Sequence, residues 1–289
     1  MYYLGFDIGG SSTKAALVKD KQILKSLIED TPDSLGGLFK LIIKMKDELA
    51  EGIAVGEVSV VGFAVAGVLD LRREKMLNSP NIGYLNDQPL KKLLEEKLNC
   101  SVKLEHDAHC FLLAEKEIGS ARGLKNVFYL TLGTGIGGAF MVDGKIISGS
   151  HGAAGEIGHM IMDISGELEL EDLAANKFFK KQLGVGSMEV RRLIESGDQK
   201  AFMVVEEMSR NLGVGIANII NIFDPEAIII GGGINWAKDF FSVGIETAVN
   251  KFVVSPEARR TQILFSELDR FGGALGAALM VENKGRVDW

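Results

Sequence analysis

A strand, a glycine turn and a second strand occur twice in this chain, the copies 124 positions apart. The first runs Asp7-Ile8-Gly9-Gly10-Ser11-Ser12-Thr13-Lys14-Ala15-Ala16-Leu17-Val18 and continues to Lys21. The second runs Thr131-Leu132-Gly133-Thr134-Gly135-Ile136-Gly137-Gly138-Ala139-Phe140-Met141-Val142 and continues to Lys145. Gly9 falls on Gly133, Thr13 on Gly137, Ala15 on Ala139, Val18 on Val142 and Lys21 on Lys145, so one phase is expected through both flanking strands. Self-similarity of this length marks a duplicated α/β unit. Two glycine turns at equivalent places in similar halves can face each other across a cleft, each offering backbone N–H groups to an anion. A polyphosphate suits such a pair.

The length and composition suit about two globular domains. With 289 residues, 46% of them apolar and both charge signs dispersed, a sizeable core can form. A net charge of −7 and a pI near 5.3 leave no basic footprint, and no Lys/Arg-rich run occurs, so nucleic acid is not an expected partner. The opening residues, Met1-Tyr2-Tyr3-Leu4-Gly5-Phe6-Asp7, lack the basic and apolar regions of a signal peptide. No apolar run reaches membrane-spanning length, Ala227 to Ile230 being a short strand closed by glycines. A cytoplasmic protein without a membrane partner is the expectation. Cys100 and Cys110 lie near apolar stretches and read as small core hydrophobes.

Periodicity gives strands at Tyr2 to Asp7, Lys14 to Val18 and Ile23 to Leu27. A helix follows from about Leu35 to Ala50, with Leu38, Leu41, Ile42, Met45 and Leu49 at helical spacing. Then come a strand at Val58 to Ala64, a helix near Pro89 to Leu98, a strand at Val102 to Glu105 and a helix from about Ala108 to Gly119. Asp143-Gly144 between two apolar runs signals a hairpin turn. A long helix from Met203 to Phe223 ends at Asp224-Pro225 and precedes the strand Ala227 to Ile230, and Gly272 to Met280 reads as a helix with a closely packed small-residue face. This is mixed α/β with antiparallel edges. The halves are expected as a smaller lobe over 1–119, completed by a C-terminal helix over 272–289, and a larger lobe over 120–271, hinged without a Pro/Ser-rich linker.

Three glycine clusters, at Gly9, Gly133 and Gly231, follow expected strands. Each alone is an ordinary tight turn; together, on a duplicated framework, they favour a nucleotide. Gly133-Thr134-Gly135-Ile136-Gly137-Gly138 formally matches the dinucleotide pattern G-x-G-x-x-G, but that pattern requires a following helix, and here the glycines lead into Ala139-Phe140-Met141-Val142 and a hairpin. A Walker loop fails as well, because Ile146 follows Gly144-Lys145 where Ser or Thr is needed.

The ordered segments Asp7-Ile8-Gly9-Gly10, Glu105-His106-Asp107-Ala108, Leu132-Gly133-Thr134-Gly135-Ile136-Gly137-Gly138, Gly155-Glu156-Ile157-Gly158-His159 and Ile230-Gly231-Gly232-Gly233 resemble the motifs of the ROK family of bacterial sugar kinases and repressors. The resemblance spans nearly the whole chain. It implies an α/β, actin-like ATPase fold of the hexokinase type, ribonuclease H-like, with two similar lobes, ATP and sugar in an interdomain cleft, and a homodimer.

Carried onto this sequence, the resemblance implies that Gly9, Gly10, Ser11 and Ser12 in the first turn, with Lys14 just beyond it, and Gly133, Thr134, Gly135 and Gly137 in the second hold the ATP phosphates, and that Gly231, Gly232 and Gly233 border the nucleoside. Asp7 would sit near phosphate and Mg²⁺ through water; equally, its carboxylate could order the turn by accepting N–H bonds. Asp107 matches the catalytic aspartate, which takes the proton from the sugar hydroxyl. On pattern alone Asp107 is a favoured helix N-cap, and the two roles are compatible. Glu156 and His159 match residues that contact sugar, and Gly67 and Asn81 lie in segments that resemble the other pocket-forming pieces.

Two departures from the family pattern stand out. Relatives follow the Gly-His pair with a cysteine-rich zinc loop. Here the chain reads His159-Met160-Ile161-Met162-Asp163-Ile164-Ser165-Gly166-Glu167-Leu168-Glu169-Leu170-Glu171, as though the loop were excised. No structural zinc is expected without cysteines; His159 is left as a sugar ligand and Glu171 as a candidate for the sugar's anomeric side. The second departure is His106, where relatives have Asn; it remains a candidate sugar-pocket residue, and an imidazole there can charge near neutral pH. A metal site at His106, His109 and Cys110 is the weaker reading of that cluster.

The functional expectation is an ATP- and Mg²⁺-dependent hexose kinase acting on a sugar hydroxyl, the 6-hydroxyl of glucose by default. A β-glucoside, fructose, N-acetylmannosamine or N-acetylglucosamine remain open as substrates. An idle sugar-binding protein is the alternative from another class. A repressor role is disfavoured because the first motif begins at once, leaving no room for a DNA-binding domain before it.

Overall fold

The computed structural model describes residues 1–54, 57–58 and 60–282. They form two compact units: one from Met1–Arg122, Lys145–Ala154 and the described chain from Leu268 on, the other from Gly123–Gly144 and Gly155–Glu267. The stretch 145–154, placed with the larger lobe by the sequence division, thus belongs to the first unit.

The first unit is built on the sheet order β3-β2-β1-β4-β7. Its members are β1 (Tyr3–Ile8), β2 (Ser12–Lys19), β3 (Gln22–Asp30), β4 (Val60–Val65) and β7 (Ser101–His106), with a small hairpin of β5 (Val68–Leu69) and β6 (Met76–Asn78). β1 and β2 are antiparallel, whereas β1, β4 and β7 are parallel and in register: Asp7 pairs with Ala64 and Ala64 with Glu105. Parallel strands buried on both faces carry nearly continuous apolar runs, and β1 and β4 do so. One face, with Leu4, Phe6, Ile8, Val61, Phe63 and Val65, packs with α1 (Leu35–Leu49) and α2 (Leu90–Leu98). α1 starts where the Ser34 hydroxyl accepts the Gly37 N–H, and it buries Leu38, Phe39, Ile42, Met45 and Leu49 at helical spacing. α3 (Asp107–Ile118) follows β7 directly.

The opposite face meets the C-terminal helix Gly272–Glu282 at very short range. A Cβ on Gly5 would overlap the carbonyl oxygen of Ala274, one on Gly62 that of Ala277, and one on Gly276 that of Cys110. The small residues read from the sequence therefore let helix and sheet backbones touch. Lys103 on β7 donates to the Met280 carbonyl in the helix's last turn at 3.2 Å. The part of the expected helix beyond Glu282 lies outside the described residues.

The second unit repeats the scheme with β8 (Val127–Leu132) and β9 (Ile136–Val142) as its antiparallel pair; β10 (Lys145–Ile146) belongs to the first unit. Three short helices follow, α4 (Leu170–Ala174), α5 (Asn176–Leu183) and α6 (Ser187–Glu195), and then α7 (Gln199–Phe223). β11 (Ala227–Gly231), parallel to β8, leads to α8 (Lys238–Phe252), and β12 (Gln262–Phe265) extends the sheet parallel to β11. α7 begins four residues before the expected Met203, capped by Asp198 accepting the Ala201 N–H, and its buried face packs with β8 and β11. The turn at Asp143-Gly144 has both residues at positive φ, 49° and 79°, as a type I′ turn requires.

The two copies are not in one phase. Residues 9–12 lie between the paired Ile8 and Thr13, but only residues 133–135 lie between the paired Leu132 and Ile136. The second turn is one residue shorter, so Thr13 corresponds to Ile136 and not to Gly137, and the spacing in the second strand is 123. In both copies the corresponding residue is buried, Thr13 at 0% and Ile136 at 5% exposure.

Gly276→Ala should cost on the order of 1–3 kcal/mol in urea unfolding, because the new methyl has no space against Cys110. Gly36→Ala on α1, which meets open space, should be neutral or stabilising by up to about 1 kcal/mol. Equal effects at the two positions would contradict the close contact of the C-terminal helix with α3.

Candidate functional site

In the first unit the in-register ladder gathers the candidates at the carboxyl ends of β1, β4 and β7, where ligands of open α/β sheets bind. Asp7 is 4% exposed near the end of β1. Its Oδ2 accepts from Lys14 Nζ at 3.0 Å across the β1–β2 hairpin, and the first turn of the C-terminal helix lies against its carboxylate. Burial pushes its pKa up, opposed by Lys14, and the positive end of the helix favours the ionised form.

The turn beyond it is held by Gly9 N–H donating to Ser12 O at 3.1 Å. Thr31, a residue without a motif to reveal it, donates its hydroxyl to Gly9 O at 2.7 Å and its N–H to Ser11 O at 3.2 Å. Asn81 packs directly against Gly10, where a Cβ would come 2.7 Å from the Asn81 Cβ. Gly67 adopts φ 131° and has the Asn78 carbonyl where a side chain would start, so two constraints require glycine there. Ser79 Oγ donates to Ala66 O at 2.6 Å and joins the two expected pocket segments.

Asp107 follows β7 as the first residue of α3, partly exposed, with one carboxylate oxygen accepting the Ala108 N–H at 2.7 Å. His106, not Asp107, occupies the N-cap position, because the chain is still extended at φ −60°, ψ 142°. The His106 ring is 7% exposed, and its Nε2 accepts the Leu69 N–H at 3.5 Å. Burial, with repulsion from His109, pulls its pKa down to about 4, so it does not charge near neutral pH as its ordinary range suggested. Glu105 behaves oppositely. Burial works to raise its pKa, but the His109 hydrogen bond and the Arg73 guanidinium outweigh it and hold the carboxyl at about 2. His109 spends Nδ1 on Glu105 at 3.0 Å, and Cys110 is a fully buried thiol whose pKa burial drives well up, so this cluster packs and pairs and offers no metal set.

In the second unit the other two glycine clusters come together. Gly232 sits against the Leu132 backbone, and the Ile234 N–H donates to Leu132 O at 3.2 Å. Gly133 is closed by its N–H to Gly135 O at 3.0 Å and by Asn176 N–H to its own carbonyl at 3.0 Å. A Cβ on Gly133 or on Gly233 would meet open space, so a group can approach these backbones directly. Thr134 is exposed, Gly137 half-buried and Gly231 buried.

Glu171 lies against this turn: Oε2 accepts the Ile136 N–H at 3.2 Å and Oε1 pairs with Lys177 at 2.7 Å. Glu156 and His159 flank a short 3₁₀ turn over Ile157–His159 and are exposed, His159 by 53% at its side chain. His159 Nδ1 meets Glu169 Oε2 at 2.9 Å, and that hydrogen bond, against some burial, raises the imidazole's pKa.

His159, Glu169 and Glu171 offer ligand atoms within 4.8 Å of one another. Each oxygen used in these contacts already has a protein partner, since Lys177 sits on Glu171 and Glu169 also accepts a backbone N–H in the capping box of α4. The donor set is hard oxygen with one imidazole, unlike the thiolate-rich set of a structural zinc site. Arg73, Ser148, Thr31 and Lys177 carry contacts that no motif announced, and Glu105 lies inside a motif that assigns it no role.

The sequence model of the ROK family matches residues 3–284. The chain is 28% identical over 309 aligned positions to the glucokinase of Thermotoga maritima, covering 97% of each. It is 30% identical over 283 positions to the bifunctional enzyme NanE/NanK of Brucella suis, covering 95% of this chain and 52% of that one. Among solved structures it is similar to a ROK family glucokinase from Streptomyces griseus in complex with glucose and AMPPNP, with a TM-score of 0.85, 27% identity and coverage of 97% and 99%.

The His106 environment sets a pH dependence of stability. Between its ordinary value of 6.5 and about 4, the unfolded chain binds a proton that the folded chain refuses, so stability falls as pH falls through this window. Glu105 adds a loss in the same direction from 4.5 down to about 2. Denaturant unfolding of His106→Asn should show a shallower slope between pH 6.5 and 4 than the wild type; identical slopes would mean that the ring is not held neutral.

Proposed function

The chain belongs to the ROK family, and we propose on that premise that it is an ATP-dependent sugar kinase in which Asp107 takes the proton from the acceptor hydroxyl. The observation that carries this reading is the placement of Asp107. A carboxylate starts α3 at the same sheet edge as Asp7, Gly67 and the turn over Gly9–Ser12, set there by in-register pairing of β1, β4 and β7.

The residues fit a nucleotide. Gly9–Ser12 and Gly133–Gly137 would hold its phosphates through backbone N–H groups, and Gly231–Gly233, beside the second turn, would border the nucleoside. Asp7, already paired with Lys14, would face Mg²⁺ through water, a cation that takes few direct carboxylates. Bound MgATP supplies the γ-phosphoryl group and neutralises its charge.

This chain's own share is alignment and proton transfer. Phosphoryl transfer passes through a loose transition state, so a positioned base and fixed donors suffice. Asp107 is held by the Ala108 N–H and partly exposed, which suits a base that receives a hydroxyl proton. Gly67 and Asn81 in one unit, and Glu156, His159 and Glu171 in the other, are the residues we assign to the sugar's hydroxyls, with His106 beneath the pocket segment as a neutral acceptor for Leu69 N–H. Glucose is the first acceptor to test, at its 6-hydroxyl, followed by a β-glucoside, fructose, N-acetylmannosamine and N-acetylglucosamine. We read the protein as a cytoplasmic homodimer; no described helix is long and apolar enough to cross a membrane.

A panel of these sugars with ATP and Mg²⁺, read by ADP release, should give one clear substrate. Asp107→Asn should retain sugar affinity within a few-fold and lose about 10²–10⁴ in kcat. Undiminished turnover in that variant removes Asp107 from its role, and no turnover of any sugar by the wild type leaves a sugar-binding protein. Metal analysis should find no stoichiometric zinc.

A further inference from the structure

A buried charge cluster behind Asp107 has no part in the reading above. Glu105 is 1% exposed and is the penultimate residue of β7, just before His106 and Asp107. Its Oε1 accepts the His106 N–H at 2.9 Å and meets His109 Nδ1 at 3.0 Å. Arg73 Nε reaches both of its oxygens, at 2.9 and 3.0 Å.

Arg73 comes from the turn between β5 and β6, where it adopts φ 56°, an unusual conformation for a residue with a side chain. The rest of its guanidinium is also engaged. Nη1 donates to Asp70 O at 3.2 Å within the turn, and Nη2 donates to Ser148 Oγ at 2.7 Å. One side chain therefore ties three segments together: the 66–78 loop, the junction of β7 and α3, and the stretch 145–154. A second tie runs in parallel. His106 Nε2 accepts the Leu69 N–H, and Gly152 packs so closely that a Cβ there would lie 3.1 Å from Leu69 O and 3.4 Å from Arg73 Nη1.

The loop needs such a clamp. β5 and β6 are two and three residues long, with an irregular register between them, and an isolated hairpin of that size is marginal in water. Stability alone does not require a charge here, since a buried ion pair is often replaceable by apolar groups at little cost. What the planar fork supplies is geometry: several fixed donors in one plane, joining segments remote in sequence.

We propose that Arg73 is a positioning residue for the sugar: clamped by Glu105 and Ser148, it holds the 66–78 loop, with Gly67 and the Ser79–Asn81 segment that Ser79 ties to it, in the place that Asp107 needs. This inference rests on the sugar-kinase reading. A loop ordered in advance adds no ordering cost when substrate binds, whereas a loosened loop weakens sugar binding more than ATP binding, which it reaches only through the Asn81–Gly10 contact.

The test uses Arg73→Met, which keeps the stem and removes the fork, and the double variant Arg73→Met with Glu105→Gln, which also removes the buried charge that, without its guanidinium, could by itself prevent folding. Arg73→Lys keeps the charge with a single donor group. The double variant should melt near the wild type yet show a sugar KM raised at least tenfold, with the KM for ATP within twofold; the lysine variant should fall between. Hydrogen exchange over residues 66–78 should quicken at least tenfold in the double variant, a readout independent of turnover.

An unchanged sugar KM in a folded double variant, an equal rise in both KM values, or unchanged exchange overturns the proposal. A wild type that turns over no sugar overturns the kinase reading instead. Faster exchange in that case would make Arg73 a loop anchor only, and its role in sugar binding falls.

Discussion

The in-register parallel pairing of β1, β4 and β7 is the constraint on which the first unit's chemistry depends. Asp7 lies across from Ala64 and Ala64 from Glu105, so the residues just beyond each strand leave the sheet at one edge. A slip of one residue in any strand would turn every side chain to the opposite face and send Asp7 or Glu105 into an apolar core. The alternation of Leu4, Phe6 and Ile8 on one face with Gly5 and Asp7 on the other leaves only one register that buries the apolar set.

The C-terminal helix adds the second condition. Because Gly5 and Gly62 leave no side chains in the way, its backbone reaches the sheet, as it reaches α3 at Gly276, and its first turn comes to rest against the Asp7 carboxylate. A buried carboxylate in low dielectric is costly unless compensated. Here Lys14 and the positive helix end both favour the ionised form, and burial alone opposes it. Glu105 is compensated more fully, by a guanidinium, an imidazole and a backbone N–H, and stays ionised far below the ordinary carboxylate range. Of the two buried acids near this sheet edge, Glu105 is thus kept charged by partners from different parts of the chain, whereas for Asp7 burial outweighs Lys14 and raises the pKa.

Much of this architecture was legible in the residues. Leu38, Ile42, Met45 and Leu49 announce α1, Asp224-Pro225 ends α7, and the small residues over 272–280 announce a helix that packs without side chains. The second copy's turn was misread by one position because Gly135, Gly137 and Gly138 align equally well in neighbouring phases, and only the pairing of Leu132 with Ile136 decides between them. α8 was not legible: it starts without a side-chain cap, exposes Val243 and Phe252, and packs on α7 through Gly244 and Ala248, so its apolar period is blurred. Asp107 stood out by its motif, while Arg73, 32 positions from its carboxylate, belongs to no pattern a linear reading can detect.

By itself the sequence determined the order of strands and helices, the glycine turns, the absence of a thiol set for zinc, and the acid that starts α3. These follow from local periodicity, conformational preference and residue chemistry, which act between near neighbours. Tertiary structure alone decided that His106 is neutral, that Glu105 is ionised, that Lys14 and Lys177 pair with Asp7 and Glu171, and that Arg73 binds the β5–β6 turn to β7. Charge states and ion pairs depend on distance and on exclusion of water, and both are set by segments that meet only after the chain has folded.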